Sequence, residues 1–415
     1  MLENINFVLC GAILPFLIGA FGIYFLFKLK FFFILHPIKT IKQVFSGKGG
    51  ASSLFVALSG TLGVGNIVGV ASAIMAGGAG SVFWMMISAL IAMSLKYAEV
   101  YLSIKYRQQE NGKYHGGSFY YIRDGIFEKF KINAMPLAII FAILCILNSL
   151  STGNLVQVNT VFSSFNFGKV LISAVFSLLV LFVIIGGGER IKKICSIIIP
   201  VLTFSFIIIS VYIIASNISR IPGILGDIVN EAFSFRSAIS GFLGYGIMSA
   251  MRYGISRGLL SNEAGCGTSP CAHAQSPNDA HTQGCFGILE VFIDTCLLCS
   301  LTAIVILLYE SNAKNAMELV ISAFGAFLGN FGKGFILASC ILFAYATVIC
   351  QYFYGKSALT FITKKRNAAL IYSVAFISVC FLAPFIPMGI MWQISDLVIA
   401  FMAIFNLTFI ALIWS

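Results

Sequence analysis

Long apolar runs, each of roughly twenty residues and separated by short polar loops, repeat along the whole chain. A helix needs about 20 apolar residues to cross the hydrocarbon core of a bilayer. The pattern therefore predicts an all-α polytopic membrane protein with eleven spans. The predicted spans are Val8–Phe27, Ser53–Ala76, Ser81–Ile104, Pro136–Phe162, Val170–Gly186, Ile194–Ser216, Ala238–Leu260, Cys285–Tyr309, Gly334–Ala358, Ala368–Phe385 and Gln393–Trp414. A basic amphipathic segment, His36–Lys48, is predicted to lie at the membrane interface.

The second predicted span is interrupted by helix-weakening residues: Gly60, Gly63, Gly65 and Asn66. Glycine leaves backbone polar groups uncovered, and hydrocarbon tolerates such groups only where they are buried in protein or line a cavity. One interpretation is that the backbone faces a ligand here. The other is close helix packing, which the small-residue spacing Gly65-x3-Gly69 would also favour.

The sequence G-x-L-G-x-G occurs twice, at Gly60–Gly65 and at Gly241–Gly246. When the first span is set aside, the other ten divide five and five, and each half begins with one copy. The two copies would then start on opposite sides of the membrane, which predicts a five-plus-five inverted repeat with one extra N-terminal helix. Glycine-interrupted helices at matching positions indicate a transporter site near the midplane. We expect an N-terminal segment at 1–50 and repeats at 51–217 and 218–415.

Composition excludes a water-soluble protein, since 59% of residues are hydrophobic and the mean hydropathy is +0.97. The net charge of +11 reflects basic residues in the short loops rather than a nucleic-acid surface. The predicted layout puts twenty Lys and Arg on one face and five on the other. By the positive-inside rule the first face is cytoplasmic. We therefore expect a multi-pass protein of the cell or inner membrane, with its N-terminus outside and its C-terminus inside.

Two interrupted helices offer complementary chemistry. The N-terminus of a half-helix presents N–H groups and a positive dipole to a carboxylate, and unwound carbonyl groups suit a cation such as sodium. The site should therefore favour a small anionic or zwitterionic solute together with a cation. The candidate residues are Thr61, Gly63, Val64, Gly65 and Asn66 in the first interruption and Gly244, Tyr245, Gly246 and Ser249 in the second.

Other polar residues fall inside predicted spans. Asn154 and Gln157 share a helix face, where they either line a pore or bond a neighbouring helix. Asp294 is either a cation or proton site or one half of an ion pair with Arg252 or Lys96. The Thr347 hydroxyl could bind sodium or its own helix carbonyl.

Alternative chemistries are poorly supported. Cys296-x2-Cys299 lies inside a predicted span, which does not favour a redox or metal role. Spacing in the set Cys266, Cys271, His273 and His281 fits no standard zinc pattern. The polar stretch Ser261–Glu263 is interpreted as a gate or helix end rather than an enzyme centre, so no catalytic residue is predicted.

Several stretches together resemble the sodium:alanine (alanine/glycine:cation) symporter family from about Ser53 to the end of the chain. They are Gly60–Ala71, Phe83–Met85, Lys96–Glu99, Lys105–Arg107, Gly116–Ile122, Gly153–Asn159, Met251–Gly265, Ala272–Ala274 with Gly284, and Phe292–Thr295. The resemblance implies a leucine-transporter-type fold. It also implies sodium-coupled import of small neutral amino acids such as alanine and glycine by alternating access.

By this resemblance, the first interruption from Thr61 to Asn66 would hold the carboxylate and amine of the substrate. Gln157 and the interruption from Gly244 to Met248 would complete the pocket, and Gly60, Gly63 and Thr347 would bind sodium. The expected partners are the amino acid, sodium and the lipid bilayer. Neither nucleic acid nor an obligate protein partner is expected.

Four departures from the family pattern leave room for an uncoupled or proton-coupled transporter, or a channel-like relative, with the same fold. Ala346-Thr347 stands where a Ser-Thr pair is usual, and Cys350-Gln351 replaces the usual Gly-Trp. Tyr245, Met248 and Met251 are bulkier than expected in a pocket wall. The chain also ends at Ser415 without the usual cytoplasmic tail, which we interpret as a truncated or naturally short C-terminal end.

Overall fold

The computed structural model describes residues 6, 9–47, 49–110, 112–163, 168–233, 245–309 and 313–414, and these residues are almost entirely helical. The α-helices are α1 (Leu14–Lys28), α2 (Phe32–Leu35), α3 (Pro37–Ser46), α4 (Gly50–Thr61), α5 (Val68–Gly77), α6 (Gly80–Lys105), α7 (Ser118–Phe130), α8 (Met135–Leu150), α9 (Gln157–Phe162), α10 (Lys169–Ile185), α11 (Gly187–Ser216), α12 (Ile221–Ala232), α13 (Tyr245–Asn262), α14 (Pro270–His273), α15 (Ala280–Val291), α16 (Ser300–Leu307), α17 (Ala316–Ile362), α18 (Arg366–Leu382) and α19 (Met388–Trp414).

Short segments of other geometry connect these helices. π-Helical turns occupy Leu9–Ile13, Ser151–Val156 and Phe292–Cys299, and 3₁₀ turns occupy Val64–Asn66, Ile218–Arg220 and Ala383–Phe385. Strands β1 (Gln108–Glu110) and β2 (Lys113–His115) form an antiparallel hairpin in which Gln108 faces His115. The long helix α17 is kinked at Gly329, whose φ is 61°.

Seven helical stretches among the described residues are long and apolar enough to cross a membrane. They are Gly80–Lys105, Met135–Phe162, Gly187–Ser216, Ala280–Leu307, Ala316–Ile362, Arg366–Phe385 and Met388–Trp414. A polytopic membrane protein is therefore confirmed. The remaining predicted spans fall on shorter helices, namely α1, α4 with α5, α10 and α13. The count of eleven spans and the inverted repeat stay predictions.

Helix α6 lies at the centre of the bundle and packs against α1, α13 and α15. Small residues allow the close approach: an added Cβ on Gly258 of α13 would lie 3.0 Å from Ser88 Oγ of α6. Further along α6, the Ser94 hydroxyl donates to the Gly22 carbonyl of α1 at 2.9 Å. Close helix packing through small residues is the usual means of association in a bilayer, where lipid is as apolar as the side chains.

Helix α15 has a well-formed N-terminus just outside a membrane-spanning stretch. Asp279 accepts hydrogen bonds from the backbone N–H groups of His281 and Thr282, both at 3.0 Å. The Thr282 hydroxyl also donates to Asp279 at 2.6 Å, and these donors together hold the pKa of the Asp279 carboxyl below its usual value. The cap fixes the point at which the chain re-enters the bundle.

The structure corrects the side assigned to Arg252 and Arg257, which were expected at the cytoplasmic face. Arg257 pairs with Asp396 near the start of α19, at 3.9 Å, and an added Cβ on Gly11 would lie 3.0 Å from Arg252 Nε. Both arginines therefore lie at the end of the bundle where α1 and α19 begin, which the charge count assigned to the outside. The asymmetry becomes eighteen against seven and keeps its sign.

Candidate functional site

The helix formed by α4 and α5 is interrupted where the glycines predict it. Helix α4 ends at Thr61, Gly63 has an extended backbone with φ −128° and ψ −153°, and α5 begins at Val68 after a 3₁₀ turn. Every residue from Ser59 to Ala71 is buried. The uncovered backbone of this interruption therefore lies inside the protein, as a spanning segment requires.

Side-chain amide oxygens accept hydrogen bonds from the backbone N–H groups of this interruption. Gln157 Oε1, at the start of α9, accepts from the Val64 N–H at 3.0 Å. Asn66 Oδ1 accepts from the Gly63 N–H at 3.1 Å. A Cβ added to Gly63 would lie 2.5 Å from Gln157 Oε1 and 2.9 Å from Thr347 Oγ1. Glycine is therefore required for this approach, which brings together three residues predicted for the site: Gly63, Gln157 and Thr347.

Oxygen atoms that could bind a cation converge beside Gly63. Thr347 Oγ1 lies 3.1 Å from the Leu62 carbonyl oxygen and 3.0 Å from the Phe343 carbonyl oxygen of its own helix. The contact with its own helix carbonyl, one of the two alternatives considered for this threonine, is therefore present, and sodium binding stays a prediction. Gly60 contributes a carbonyl that accepts from Gln351 Nε2 at 3.4 Å. The Leu62 carbonyl was not among the residues predicted from the sequence.

A second interruption lies after α13, at residues 263–269. Three residues adopt the left-handed backbone region: Glu263 with φ 47°, Gly265 with φ 86° and Gly267 with φ 76°. This interruption lies beside the first one, because a Cβ added to Gly65 would be 3.4 Å from the Ser261 Cα. The two interruptions therefore meet in the interior of the bundle.

The second interruption was predicted from Gly244 to Met248, and the part of that prediction from Tyr245 to Met248 is wrong. Helix α13 begins at Tyr245 and is continuous through Gly246 and Met248, and Gly244 lies outside the described residues. The side chain of Met248 is 66% exposed, and Ser249 donates to the Ala76 carbonyl at 3.1 Å. Residues 241–244 of the repeated G-x-L-G-x-G sequence lie outside the described residues, so an interruption there stays a prediction.

The sequence contained a different signal for the second interruption. Ser261, Asn262 and Glu263 precede Gly265 and Gly267, a polar and glycine-rich stretch between apolar segments. Its interpretation as a helix end was correct, since α13 ends at Asn262. This helix end lies inside the bundle, because Ser261 contacts Asp294 in the middle of the stretch Ala280–Leu307.

Asn154 and Gln157, which were predicted to share one helix face, contact different parts of the protein. Gln157 contacts the first interruption, whereas Asn154 Nδ2 donates to the Phe376 carbonyl of α18 at 2.8 Å. Thr61 turns to its own helix, where its hydroxyl lies 3.4 Å from the carbonyl oxygens of Ala57 and Leu58. Gln157 is thus the member of the pair placed to reach a bound solute.

Asp294 makes neither of the two ion pairs considered for it. Its carboxylate accepts from Asn66 Nδ2 at 2.8 Å, from the Ser261 hydroxyl at 2.8 Å and from the Thr295 hydroxyl at 2.7 Å. Lys96 pairs with Glu290 instead, at 3.4 Å. Asp294 therefore joins the two interruptions to the π-helical segment Phe292–Cys299.

A buried polar network supports the second interruption. Glu99 Oε1 accepts from the Gly267 N–H at 2.8 Å and from Asn406 Nδ2 of α19. Glu263 accepts from Thr268 and, at 3.0 Å, from Gln351 Nε2 of α17. Sequence reasoning did not find this network, because its members come from three separate helices and the interruption itself.

The histidines drawn into a possible metal cluster have other partners. His273 Nε2 lies 2.9 Å from Glu290 Oε2, and its Nδ1 lies 2.7 Å from Gln283 Nε2. His281 Nδ1 lies 2.7 Å from the Tyr97 hydroxyl. These contacts connect α14 and α15 to α6 and give the histidines a structural role.

A cavity of about 330 Å³ lies next to α5, at the end of the bundle where α19 begins. Its walls include Ser72, Thr160, Arg257 and Trp392. The guanidinium of Arg257 lies over the Trp392 ring, 4.6 Å from its centre. This cavity extends toward the half-helix that follows the first interruption, which makes it a possible approach to the interior.

Comparison with known proteins identifies relatives of the whole chain. The model of the sodium:alanine symporter family matches residues 1–415. The amino-acid carrier protein AlsT of Bacillus subtilis is 32% identical over 96% of this chain and 86% of its own length. The sodium/alanine symporter AgcS of Methanococcus maripaludis is 30% identical over 98% and 93%. The putative sodium/proton-dependent alanine carrier protein YrbD of Bacillus subtilis is 30% identical over 99% and 89%.

Proposed function

Because the chain belongs to the sodium:alanine symporter family, we propose that it imports a small neutral amino acid, alanine or glycine, together with sodium. The family and the named relatives are transporters of the sodium/alanine type, and the resemblance expected from the sequence is confirmed. The observation that carries the proposal is the glycine-lined interruption at Gly63, with Gln157 on one side and Thr347 on the other.

In this proposal the substrate carboxylate takes the place of two side-chain oxygens. The N–H groups of Gly63 and Val64 donate to Asn66 Oδ1 and Gln157 Oε1. These amide oxygens stand where the two oxygens of a carboxylate would receive the same hydrogen bonds. Gln157 must then turn aside when the substrate binds, and its amide becomes free to contact the substrate. The small space beside Gly63 favours a small side chain.

The sodium site of the proposal lies beside the same interruption. Thr347 Oγ1 and the Leu62 carbonyl are neutral oxygen ligands of the kind that a sodium ion accepts, and the carbonyls of Gly60 and Gly63 would complete the set. Sodium bound there would hold α4 against α17.

The proposed substrate wall continues through Gly65 and Asn66. It does not include Tyr245, Gly246 and Met248, because α13 is continuous there.

Transport by alternating access requires that the site open to each side in turn. We propose that α5 and α13 move at the end of the bundle where Arg257 meets Asp396, and that α4 and residues 263–269 move at the other end.

The proposed architecture is the five-plus-five repeat of 51–217 and 218–415 after an N-terminal segment at 1–50. In the cell or inner membrane, the proposed orientation places the N-terminus outside and the C-terminus in the cytoplasm.

A second candidate is proton-coupled or uncoupled transport by the same fold. It is favoured by Ala346, which is fully buried next to Thr347 and lacks a hydroxyl for sodium. One relative, YrbD, is named a putative sodium/proton-dependent alanine carrier protein, so its name includes both coupling ions.

Substrate binding by the purified protein tests the proposal without requiring flux. Labelled alanine and glycine are added to detergent-solubilised protein in sodium chloride and, in parallel, in choline chloride. We expect saturable binding that depends on sodium. Binding that is equal in choline would favour the second candidate, and failure to bind either amino acid in any salt would contradict the proposed substrate.

A further inference from the structure

An apolar groove at the outer surface of the bundle lies between helices α3, α6 and α15. Its volume is about 380 Å³, and side chains from all three helices form its walls, among them Ile41, Phe45, Leu90, Ile288 and Phe292. Of the described residues in its walls, Thr40 carries the only hydroxyl, and that hydroxyl donates to the His36 carbonyl of its own helix at 3.2 Å. Sites for polar solutes carry a few placed polar groups. This groove therefore suits a hydrocarbon chain rather than an amino acid.

Helix α3 presents an apolar stripe to the groove. The stripe follows the i, i+3, i+4, i+7, i+8 spacing of one helix face, with the residues Pro37, Thr40, Ile41, Val44 and Phe45. On another face of α3, Gln43 Nε2 donates to the Thr282 hydroxyl at the start of α15, at 2.7 Å. This contact fixes α3 beside the groove, while the ring of Phe45 stays 85% exposed. Part of the apolar face is thus left for a further apolar partner.

The groove extends from α3 into the membrane-spanning part of the bundle. Along α15 its wall runs from Cys285 to the following residue Phe292, a rise of about 10 Å at about 1.5 Å per residue. Phe292 lies near the middle of the stretch Ala280–Leu307, and 47% of its surface is exposed. A groove that begins at an amphipathic helix and reaches the middle of a span has the direction of a lipid acyl chain.

Positive charge accompanies the mouth of the groove. Positions 28–47 contain four lysines and no acidic residue. Lys39 and Lys42 are exposed on the polar face of α3, away from its apolar stripe. Among the ion pairs found within the described ranges, none includes either lysine. An amphipathic helix with its apolar face at the acyl boundary holds such lysines at the level of the lipid phosphates.

We propose that this groove is a binding site for an anionic phospholipid. One acyl chain lies in the groove along Ile288 and Phe292, and the phosphate lies at Lys39 and Lys42. The apolar walls and the uncompensated lysines are complementary to the two parts of that molecule. In the proposed orientation α3 lies at the cytoplasmic surface, where anionic lipids are abundant.

The bound chain touches a segment that leads to the candidate substrate site. Phe292 is the first residue of the π-helical segment Phe292–Cys299. In the same segment, the carboxylate of Asp294 accepts from Asn66 Nδ2 of the first interruption at 2.8 Å. A lipid packed against Phe292 therefore steadies the segment that supports this interruption. This link to transport rests on the proposed function, whereas the lipid site itself does not.

Lipid retention by the purified protein is the first test. The protein is delipidated in detergent and incubated with equal amounts of phosphatidylglycerol and phosphatidylcholine that carry identical acyl chains. Native mass spectrometry then counts the lipids retained. We expect one tightly held phosphatidylglycerol, preferred on the order of tenfold over phosphatidylcholine. Equal retention of the two lipids would overturn the proposal.

The lysines are tested by a pair of matched double variants. Lys39→Gln with Lys42→Gln should abolish the preference for phosphatidylglycerol. The control, Lys113→Gln with Lys365→Gln, removes the same charge from exposed positions on β2 and just before α18, and it should keep the preference. Loss of the preference in both double variants would show that net charge alone attracts the lipid, which would refute the site.

A phosphatidylglycerol with a diazirine in its acyl chain locates the chain. Crosslinks should concentrate on α3, α6 and α15 and fall several-fold in Leu90→Trp, whose larger ring fills the groove. Phe45→Ala, which removes a mostly exposed ring from the wall, is a second variant with the same expected direction. Leu370→Trp on the exposed side of α18 is the control. Crosslinks spread evenly over the outer helices would indicate ordinary bilayer lipid. Conversion of a dimer to a monomer by Leu90→Trp, with unchanged crosslinking, would assign the groove to a second copy of the chain; either result overturns the proposal.

The link to transport is tested by alanine uptake into phosphatidylcholine vesicles with and without phosphatidylglycerol. Phosphatidylglycerol should stimulate uptake by the wild type and by the control double variant, but not by Lys39→Gln with Lys42→Gln. Equal stimulation of both double variants would overturn the link to transport. If the protein retains phosphatidylglycerol as expected but takes up no alanine in any vesicle, the proposed function fails while the lipid site stands.

Discussion

The side-chain amide of Asn66 donates to both the carboxylate and the main-chain carbonyl of Asp294, at 2.8 and 3.0 Å. Asn66 also accepts from the Gly63 N–H, so a single side chain connects the first interruption to the centre of the stretch Ala280–Leu307. Ser261 brings the end of α13 to the same carboxylate. The backbone at the candidate substrate site is therefore connected by hydrogen bonds to a buried carboxyl group.

The tight approach at Gly63 makes it sensitive to any added atom. In Gly63→Ala, the new Cβ would lie 2.5 Å from Gln157 Oε1 and 2.9 Å from Thr347 Oγ1, so both side chains must shift. Overpacking typically costs about 1–3 kcal/mol, and we expect alanine uptake to fall at least about tenfold. Gly63→Leu should abolish uptake while leaving membrane insertion intact. Gly69→Ala is the control, because its Cβ would meet no atom within 4 Å. Normal uptake by correctly inserted Gly63→Leu would remove the site assignment.

Thr347→Val removes a hydroxyl and keeps the shape of the side chain. We expect the sodium concentration for half-maximal alanine uptake to rise on the order of tenfold, because one oxygen ligand is lost. Maximal uptake at saturating sodium should be preserved. Thr360→Val on the same helix is the control, since the Thr360 hydroxyl bonds only to the Lys356 carbonyl among the described residues. Identical sodium curves for Thr347→Val and the wild type would place the ion elsewhere.

Gln157→Glu tests whether the side chain at this position yields to a carboxylate. The substitution keeps an acceptor for the Val64 N–H but adds a negative charge where the substrate carboxylate is expected. Repulsion between like charges in a buried site should weaken alanine binding by more than about tenfold. Equilibrium binding of labelled alanine measures this, with Gln109→Glu in the exposed strand β1 as the control. Alanine affinity unchanged in Gln157→Glu would show that the carboxylate binds away from Val64.

The ion pair between Lys96 and Glu290 should matter for stability. Both side chains are fully buried, and Glu290 also contacts His273. Lys96→Met leaves a buried carboxylate without its lysine, a change that typically costs about 3–5 kcal/mol. We expect a clear drop in melting temperature in detergent, and partial recovery when Glu290→Gln is added to Lys96→Met. Strictly additive effects of the two substitutions would show that the pair is not coupled.

Sequence reasoning located the first interruption because its cause is local. Glycine at 60, 63 and 65 weakens the helix wherever the chain folds, and burial of the span then restricts the uncovered backbone to the interior. The placement of Gln157 and Thr347 beside it was also predicted, from polar residues within apolar spans and from the family resemblance.

The second interruption could not be located in the same way because its cause is largely tertiary. Glu263 adopts a left-handed backbone that its own sequence does not favour. The Gly267 N–H is held by Glu99, which lies 168 positions earlier in the chain. Such long-range hydrogen bonds leave no periodic pattern, and the short glycine repeat at Gly241–Gly246 did not point to residues 263–269.

Asp294 shows the same limit for a single residue. Its depth in an apolar run predicted an expensive charge, but the choice between an ion pair and a cation site depended on which side chains surround it. The structure places neutral donors there and pairs Lys96 with Glu290.

Uptake into proteoliposomes tests the central claim most directly. Purified protein is reconstituted, and labelled alanine and glycine are supplied with an inward sodium gradient, with equal sodium on both sides, or with choline in place of sodium. We predict accumulation above the outside concentration only under the inward sodium gradient, and loss of that accumulation in Gly63→Leu. Saturable uptake that never exceeds equilibrium and ignores the sodium gradient would contradict sodium-coupled symport.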